Sequence, residues 1–349
     1  MENEKKIGCL QGCLMSVGIF ISAVFGILTL LVLSIRGCGQ EYAKLDLNSS
    51  GSKNRPVDEC GHLYSEQWSA GADGDDAAKV VHIKLHGVIT RETGRTIFGG
   101  EFDATSAIAA CDRIRAAKAD KDVRAIIIEI NSPGGEVTLS DLVWHELQEF
   151  KSSETNRTVF AQLMDMACSG GYYIAAAADY IHALPTTITG SIGVIIPAIN
   201  AAELAEKIGV KPVTVASSKN KDLLNPLVPT NPEHIKIVKK TVDQTYERFV
   251  NIVARSRKLS TSRVKEIADG RILTAQDALA CKLVDGIGYQ NDLLKCVEKK
   301  LGCKVKVVKY VTDFSFENFL FDGLMIKFTE NIKHLILSEI NQPTKLQYR

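Results

Sequence analysis

The chain has 349 residues, of which 45% are hydrophobic and 24% charged, a balance that suits one large or two modest globular units and excludes a disordered protein. A net charge of +1 without any strongly basic tract excludes the electrostatic footprint of a nucleic-acid partner.

The first feature in chain order is Leu14–Ile35, "LMSVGIFISAVFGILTLLVLSI", 22 residues without a charge. At about 1.5 Å of rise per residue it reaches roughly 33 Å, enough for the hydrocarbon core of a bilayer. Residues 14–36 therefore read as a transmembrane anchor. Lys5 and Lys6 outweigh Arg36 on the far side, which puts residues 1–13 in the cytoplasm and the bulk of the chain outside it. A cleaved signal peptide is the rival reading, but the stretch exceeds the usual apolar region of a signal peptide and no A-x-A-like site follows. "IRGC", ending at Cys38, fits a lipoprotein cleavage box poorly. Residues 37–78 are rich in Gly, Ser and Asp and lack periodicity, as a tether would.

An ordered domain is expected over residues 79–303. "VVHIKL" reads as a strand, residues 103–118 as a helix with Ile108, Cys111 and Ile114 on one stripe, and "RAIIIEI" as a strand buried on both faces. A helix over 137–152, a strand "TVFAQLM", a helix opening near Ser169, and strands at "YIHAL", "SIGVII" and "PVTVA" continue the alternation. Such a pattern implies a mainly parallel α/β layer structure. From Pro232 onward Ile235, Val238, Val242, Tyr246, Phe249 and Val253 recur at steps of three and four, the mark of a long amphipathic helix whose stripe is expected to pack in the core. Shorter helices follow around 260–268, 274–282 and 290–300, then a strand "KVKVVKY". Residues 304–349 form a C-terminal extension, and its clustered Phe314, Phe316, Phe319 and Phe321 suit a subunit contact.

The chemistry turns on Ser169 in "MDMACSGGYYIAAAADYI". It is either a helix N-cap, since a serine oxygen accepts a backbone N–H of the first turn, or a nucleophile. That stretch alone does not choose. "INSPGGEV" ends a buried strand in Pro133, Gly134 and Gly135, a tight turn able to leave N–H groups free for an oxyanion, or simply a strand-to-helix loop. Of the seven histidines only His86, at a strand end, suits a triad with the serine. A lysine can serve as base instead if desolvation lowers its pKa by about three units, roughly 4 kcal/mol. Lys219 and Lys221 in "VASSKNKDLLNP" follow a predicted strand, where an active cleft commonly opens. Cys168, beside the serine, reads as a small buried residue. The nine cysteines show no C-x-x-C pair and no zinc spacing, so no metal site is indicated.

"INSPGGEV", "ACSGGYYIAAAAD", "TTITGSIGVI", "SSKNKDLLNP" and "GRILTAQDALACKLVDGIG", in this order behind one N-terminal anchor, resemble the signal peptide peptidase A family, SppA, in its short single-repeat form. The resemblance covers about residues 78–300. It implies a Clp-protease/crotonase-like fold and a serine/lysine dyad that cleaves peptide bonds, chiefly in remnant signal peptides and other hydrophobic peptides, without a cofactor. Position by position it implies Ser169 as nucleophile, Lys221 as general base in place of Lys219, and Ser191 as the hydroxyl that positions the amine. The oxyanion donors it implies are the N–H groups of Gly134 or Gly135 and of Gly170. It further implies a homo-oligomeric ring on the membrane in which neighbouring chains share each site. A catalytically inactive crotonase-like scaffold that binds peptides is the alternative.

Overall fold

The computed structural model describes residues 64–72, 77–91 and 106–312. The fold is organised on β3, Val123–Ser132, whose run VRAIIIEINS sends successive aliphatic side chains to opposite faces and buries both. Ile126, Ile128 and Ile130 enter the larger core, while Ala125 and Ile127 enter a smaller one behind the sheet. β2, Ala78–His86, and β4, Thr158–Cys168, flank β3 in parallel. Beyond β2 lie β9, Val305–Thr312, and β1, Tyr64–Gly71; beyond β4 lie β5, Tyr180–Ala183, and β8, Gly286–Ile287. The order is β1-β9-β2-β3-β4-β5-β8, and every pair along it is parallel except β1 with β9. The expected mainly parallel α/β sheet is therefore present.

Helices connect the strands. The larger core is packed by α1, Ala107–Ala119, through Ile114, and by α2, Val137–Ser153, through Val143 and Phe150. At the start of α1 the Ser106 hydroxyl accepts the Ala109 N–H at 3.3 Å, an ordinary serine cap. The smaller core is closed by α8, Gln290–Leu301, through Leu293 and Val297. A side branch of the sheet matters most for function: β6, Ile188–Gly190, pairs in parallel with the last residues of β4 and antiparallel with β7, Ile272–Thr274.

The structure departs from the sequence reading in several places. The sheet begins at Tyr64, inside the stretch read as tether, and runs past Cys303 to Thr312, because β9 sits between β1 and β2. Tyr64 is buried and stacks on Tyr310 at 5.9 Å, but half of β1 is exposed and none of its other residues is buried, so no alternation announced it. "SIGVII" and "PVTVA" are not strands: the sheet stops at Gly190, and Val213 and Val215 stand 88% and 97% exposed. Their β-branched side chains suit a strand only where an edge is available to pair. The long helix α5, Pro232–Arg257, forms as expected, with Asn231 accepting the Glu233 N–H at 2.9 Å. Its stripe, however, is buried only from Phe249 onward, and Ile235 is 44% exposed.

Leu14–Ile35 and the aromatic residues beyond Thr312 lie outside the described residues. Among the described residues no helix is long and apolar enough to cross a membrane.

Candidate active site

The end of β4 and the start of α3, Gly170–Ala175, meet at Ser169. Unlike Ser106, Ser169 makes no side-chain cap hydrogen bond, so the capping reading is overturned. Its backbone takes φ 51° and ψ −118°, a conformation that costs a non-glycine residue about 1–3 kcal/mol and that clusters at functional sites. The strained turn is fixed from both sides. The Ser169 N–H donates to the Gly190 carbonyl at 2.9 Å, and the Ser169 carbonyl accepts from Tyr173 at 2.9 Å. A small hydroxyl is thus held, half-exposed, on a sharp strand-to-helix elbow, as a serine nucleophile requires.

The Pro133-Gly134-Gly135 turn lies against that elbow. A Cβ added to Gly134, at φ 109°, would fall 2.8 Å from the Ser169 Cβ and 3.0 Å from the Gly170 nitrogen. A Cβ on Gly170 would fall 2.4 Å from the Ser140 oxygen and 3.4 Å from the Gly135 nitrogen. The absence of side chains at these positions is what lets the two backbone segments approach. The two candidate oxyanion donors of the turn are not equivalent. The Gly134 N–H donates to the Ser132 hydroxyl at 3.1 Å, whereas no acceptor is found for the Gly135 N–H among the described residues. Gly135 is held by Ile89, whose N–H donates to Gly134 and whose carbonyl accepts from Glu136, at 2.9 and 2.8 Å. Sequence reasoning passed over Ile89; after the Gly87 turn, at φ 83°, the chain continues in the direction of β2 and Ile89 pairs in parallel with Gly135.

Ser191 follows Gly190 and is brought beside the serine by the β4–β6 pairing of Cys168 with Gly190. It too has a positive φ, 49°, and its N–H donates to the Arg271 carbonyl at 2.7 Å. The two serines thus stand at adjacent strand ends. Cys168 is buried, and burial pushes its thiol pKa up, which leaves it a poor nucleophile. His86 is no partner for Ser169: its Nε2 lies 2.8 Å from Glu129, on a carboxylate it shares with His82. Among the described residues no cluster of three His, Cys, Asp or Glu side chains is placed to hold a metal ion.

Among the described residues no hydrogen bond or ion pair joins Lys221 to Ser169, and the Lys221 backbone N–H donates to the Ser218 carbonyl at 3.1 Å. After Ser191 the chain runs out over residues 193–230, an exposed arm that includes only a short helix α4, Ala202–Lys207. Asp222, next to Lys221, lines a small cavity of about 120 Å³ with Asn231 and Ile235 at the start of α5. Lys219 pairs with Glu233 at 3.9 Å, in the same region. The serine end of the molecule touches α5 far along its length, where the Tyr173 and Phe249 rings are 4.9 Å apart. Between Ile235 and Phe249 the helix rises about 21 Å, beyond the reach of a lysine side chain.

Peptidase family S49 matches residues 151–304, and the Clp protease family matches residues 82–200. The chain is 36% identical over 244 residues to an Enterococcus faecium protein named for signal peptide peptidase SppA, with 69% of each chain covered. It is 35% identical over 236 residues to the chloroplastic serine protease SPPA of Arabidopsis thaliana, covering 67% of this chain and 34% of that one. Among solved structures, a ClpP1 mutant from Listeria monocytogenes aligns with a TM-score of 0.39 and 17% identity, over 60% of this chain and 92% of that chain. The α/β fold is Clp-protease-like.

Proposed function

This chain belongs to the SppA family of proteases, peptidase family S49, and on that footing we propose that it is a membrane-anchored serine endopeptidase working through a Ser169/Lys221 dyad. The observation that carries the proposal is the Ser169 elbow, an uncapped hydroxyl on a strained turn against two glycine-bearing segments. Ser169 attacks the scissile carbonyl as the Lys221 amine takes its proton; the ammonium then protonates the leaving amine, and water releases the acyl-enzyme through the same base. The developing oxyanion sits between the N–H groups of Gly135 and Gly170, since the Gly134 N–H is already committed to Ser132. Ser191, beside the nucleophile, orients the amine.

The exposure of the arm supports a shared site. Ile195, Ile199, Val213 and Val215 are open to solvent in the single chain, an apolar surface that a monomer does not leave uncovered without reason. Docked on a neighbouring copy, the arm carries Lys221 to that copy's Ser169 and shuts the amine away from water, which favours its neutral form. The Leu14–Ile35 segment supplies the anchor, and extended hydrophobic peptides such as remnant signal peptides are the substrates.

The test is a serine-directed fluorophosphonate probe on the full chain, read by mass spectrometry, beside Ser169→Ala and Lys221→Ala variants assayed on a hydrophobic peptide. Labelling at Ser169 and loss of cleavage in both variants are expected. Peptide binding without labelling would favour the inactive scaffold, and cleavage surviving in either variant removes that residue from the dyad.

A further inference from the structure

Arg248 takes no part in the chemistry above, yet it forms a polar junction between the serine's own helix and the helix on which the lysine-bearing arm rests. Its Nη2 and Nε lie 2.6 and 3.1 Å from one oxygen of Asp141 on α2, and Nε lies 3.1 Å from the Tyr173 hydroxyl on α3. Tyr173 completes the triangle by donating to the same Asp141 oxygen at 2.5 Å. The guanidinium also stands over the Trp144 ring, 5.9 Å from its centroid. Burial and the neighbouring carboxylate push the Tyr173 hydroxyl pKa up, so it stays protonated and keeps donating. Tyr173 lies one helical turn beyond Ser169, whose carbonyl it caps.

The position of this junction on α5 gives it leverage. The buried residues of α5 are Phe249, Val250, Ile252, Val253 and Ala254, and the helix toward Pro232 leaves the core. From Arg248 back to Pro232 the rise is about 24 Å, so a tilt of about 5° at the junction moves the far end by about 2 Å. The arm sits on that far end, through the cavity shared by Asp222, Asn231 and Ile235. Misplacement of a catalytic group by about 1 Å can cost about 10²-fold in rate. We propose that Arg248, bridging Asp141 and Tyr173, is a positioning residue that sets the pitch of α5 and thereby the placement of Lys221 in the neighbouring chain's site. The proposal rests on the shared-site reading above.

Hetero-oligomers of full-length chains test it. In a mixture of Ser169→Ala and Lys221→Ala chains, active sites form only where the Ser169→Ala chain supplies its lysine to a Lys221→Ala neighbour. If mixing restores no cleavage, the shared site itself fails. If it does, Arg248→Ala is placed in one chain type at a time. In the lysine-supplying chain it is expected to lower kcat about tenfold or more with KM changed less than about twofold; in the serine-bearing chain the loss stays under about threefold. Equal losses in the two placements, a larger loss in the serine-bearing chain, or no loss in either overturns the proposal. Should Arg248→Ala chains fail to assemble, Tyr173→Phe removes one hydroxyl and no packing. In the lysine-supplying chain it is expected to cost about threefold, and in the serine-bearing chain less; symmetric losses overturn the proposal equally.

Discussion

Around Ser169 the chain closes on itself: the elbow, the glycine turn and the end of β6 are tied by backbone hydrogen bonds, and a Cβ has no room at Gly134, Gly135 or Gly170. Around Lys221 it opens out, with valines and isoleucines in solvent and a half-unburied helix beneath them. One half of the proposed dyad is therefore preorganised within the monomer, and the other is unfinished until something covers the arm. The contrast makes a prediction for each region. Folding alone should complete the first, and only assembly the second.

The largest effect is expected at the arm. Val215→Asp puts a charge on a side chain that the isolated chain leaves 97% exposed, so stability of the folded chain should stay within about 0.5 kcal/mol of wild type. A charge buried at a subunit boundary is costly, and loss of the lysine base should lower kcat/KM by on the order of 10³-fold. Sedimentation and peptide cleavage check the two together. An assembled, active Val215→Asp protein would mean that the arm does not dock, and the contrast between the regions would collapse.

A smaller effect is expected at the elbow. Gly134→Ala places a Cβ 2.8 Å from that of Ser169 on a backbone at φ 109°, so the turn must shift away from the nucleophile. Cleavage should fall about 10²-fold, the usual scale for a disturbed oxyanion site, while the oligomer persists. Steady-state kinetics on the assembled variant decides; unchanged kcat would place the oxyanion elsewhere.

The legibility of these regions in the sequence differed for physical reasons. β3 was legible because burial on both faces leaves a continuous aliphatic run, and α5 because its stripe has a helical period. Where that stripe meets solvent was not legible, since periodicity reports amphipathicity and not what covers it. β1 was missed because its strand character comes from pairing with β9, 246 positions on at the Ser65–Val311 pair, and local sequence carries no trace of a distant edge. "PVTVA" erred the other way, with strand-forming residues and no partner edge among the described residues. At the site, residue chemistry raised Ser169, Gly134 and Gly135, and the resemblance to the SppA family added Gly170 and Ser191. Arg248 and Ile89 gave no such signal, because one acts through a side-chain fork and the other through its backbone.

The smallest effect belongs to the closed body and needs no partner at all. Glu129 is nearly buried, which opposes its ionisation, but the hydrogen bond from His82 and the charges of His82, His86 and Lys84 outweigh burial and lower its pKa from 4.5 to about 2. A carboxylate depressed in the folded state binds its proton more readily when unfolded, so it contributes stability that is complete above pH 4.5 and lost as pH falls toward 2. A drop from 4.5 to about 2 corresponds to roughly 3 kcal/mol, and solvent screening of the partly exposed carboxylate reduces it to on the order of 2 kcal/mol. In Glu129→Gln this part of the acid dependence should vanish, so the urea midpoints of variant and wild type converge between pH 4.5 and pH 2. The same convergence in Val215→Asp chains as in wild type would show that the body titrates as a closed unit. A Glu129 dependence that changed on dissociation would instead tie this face of the sheet to the assembly and blur the boundary between the two regions.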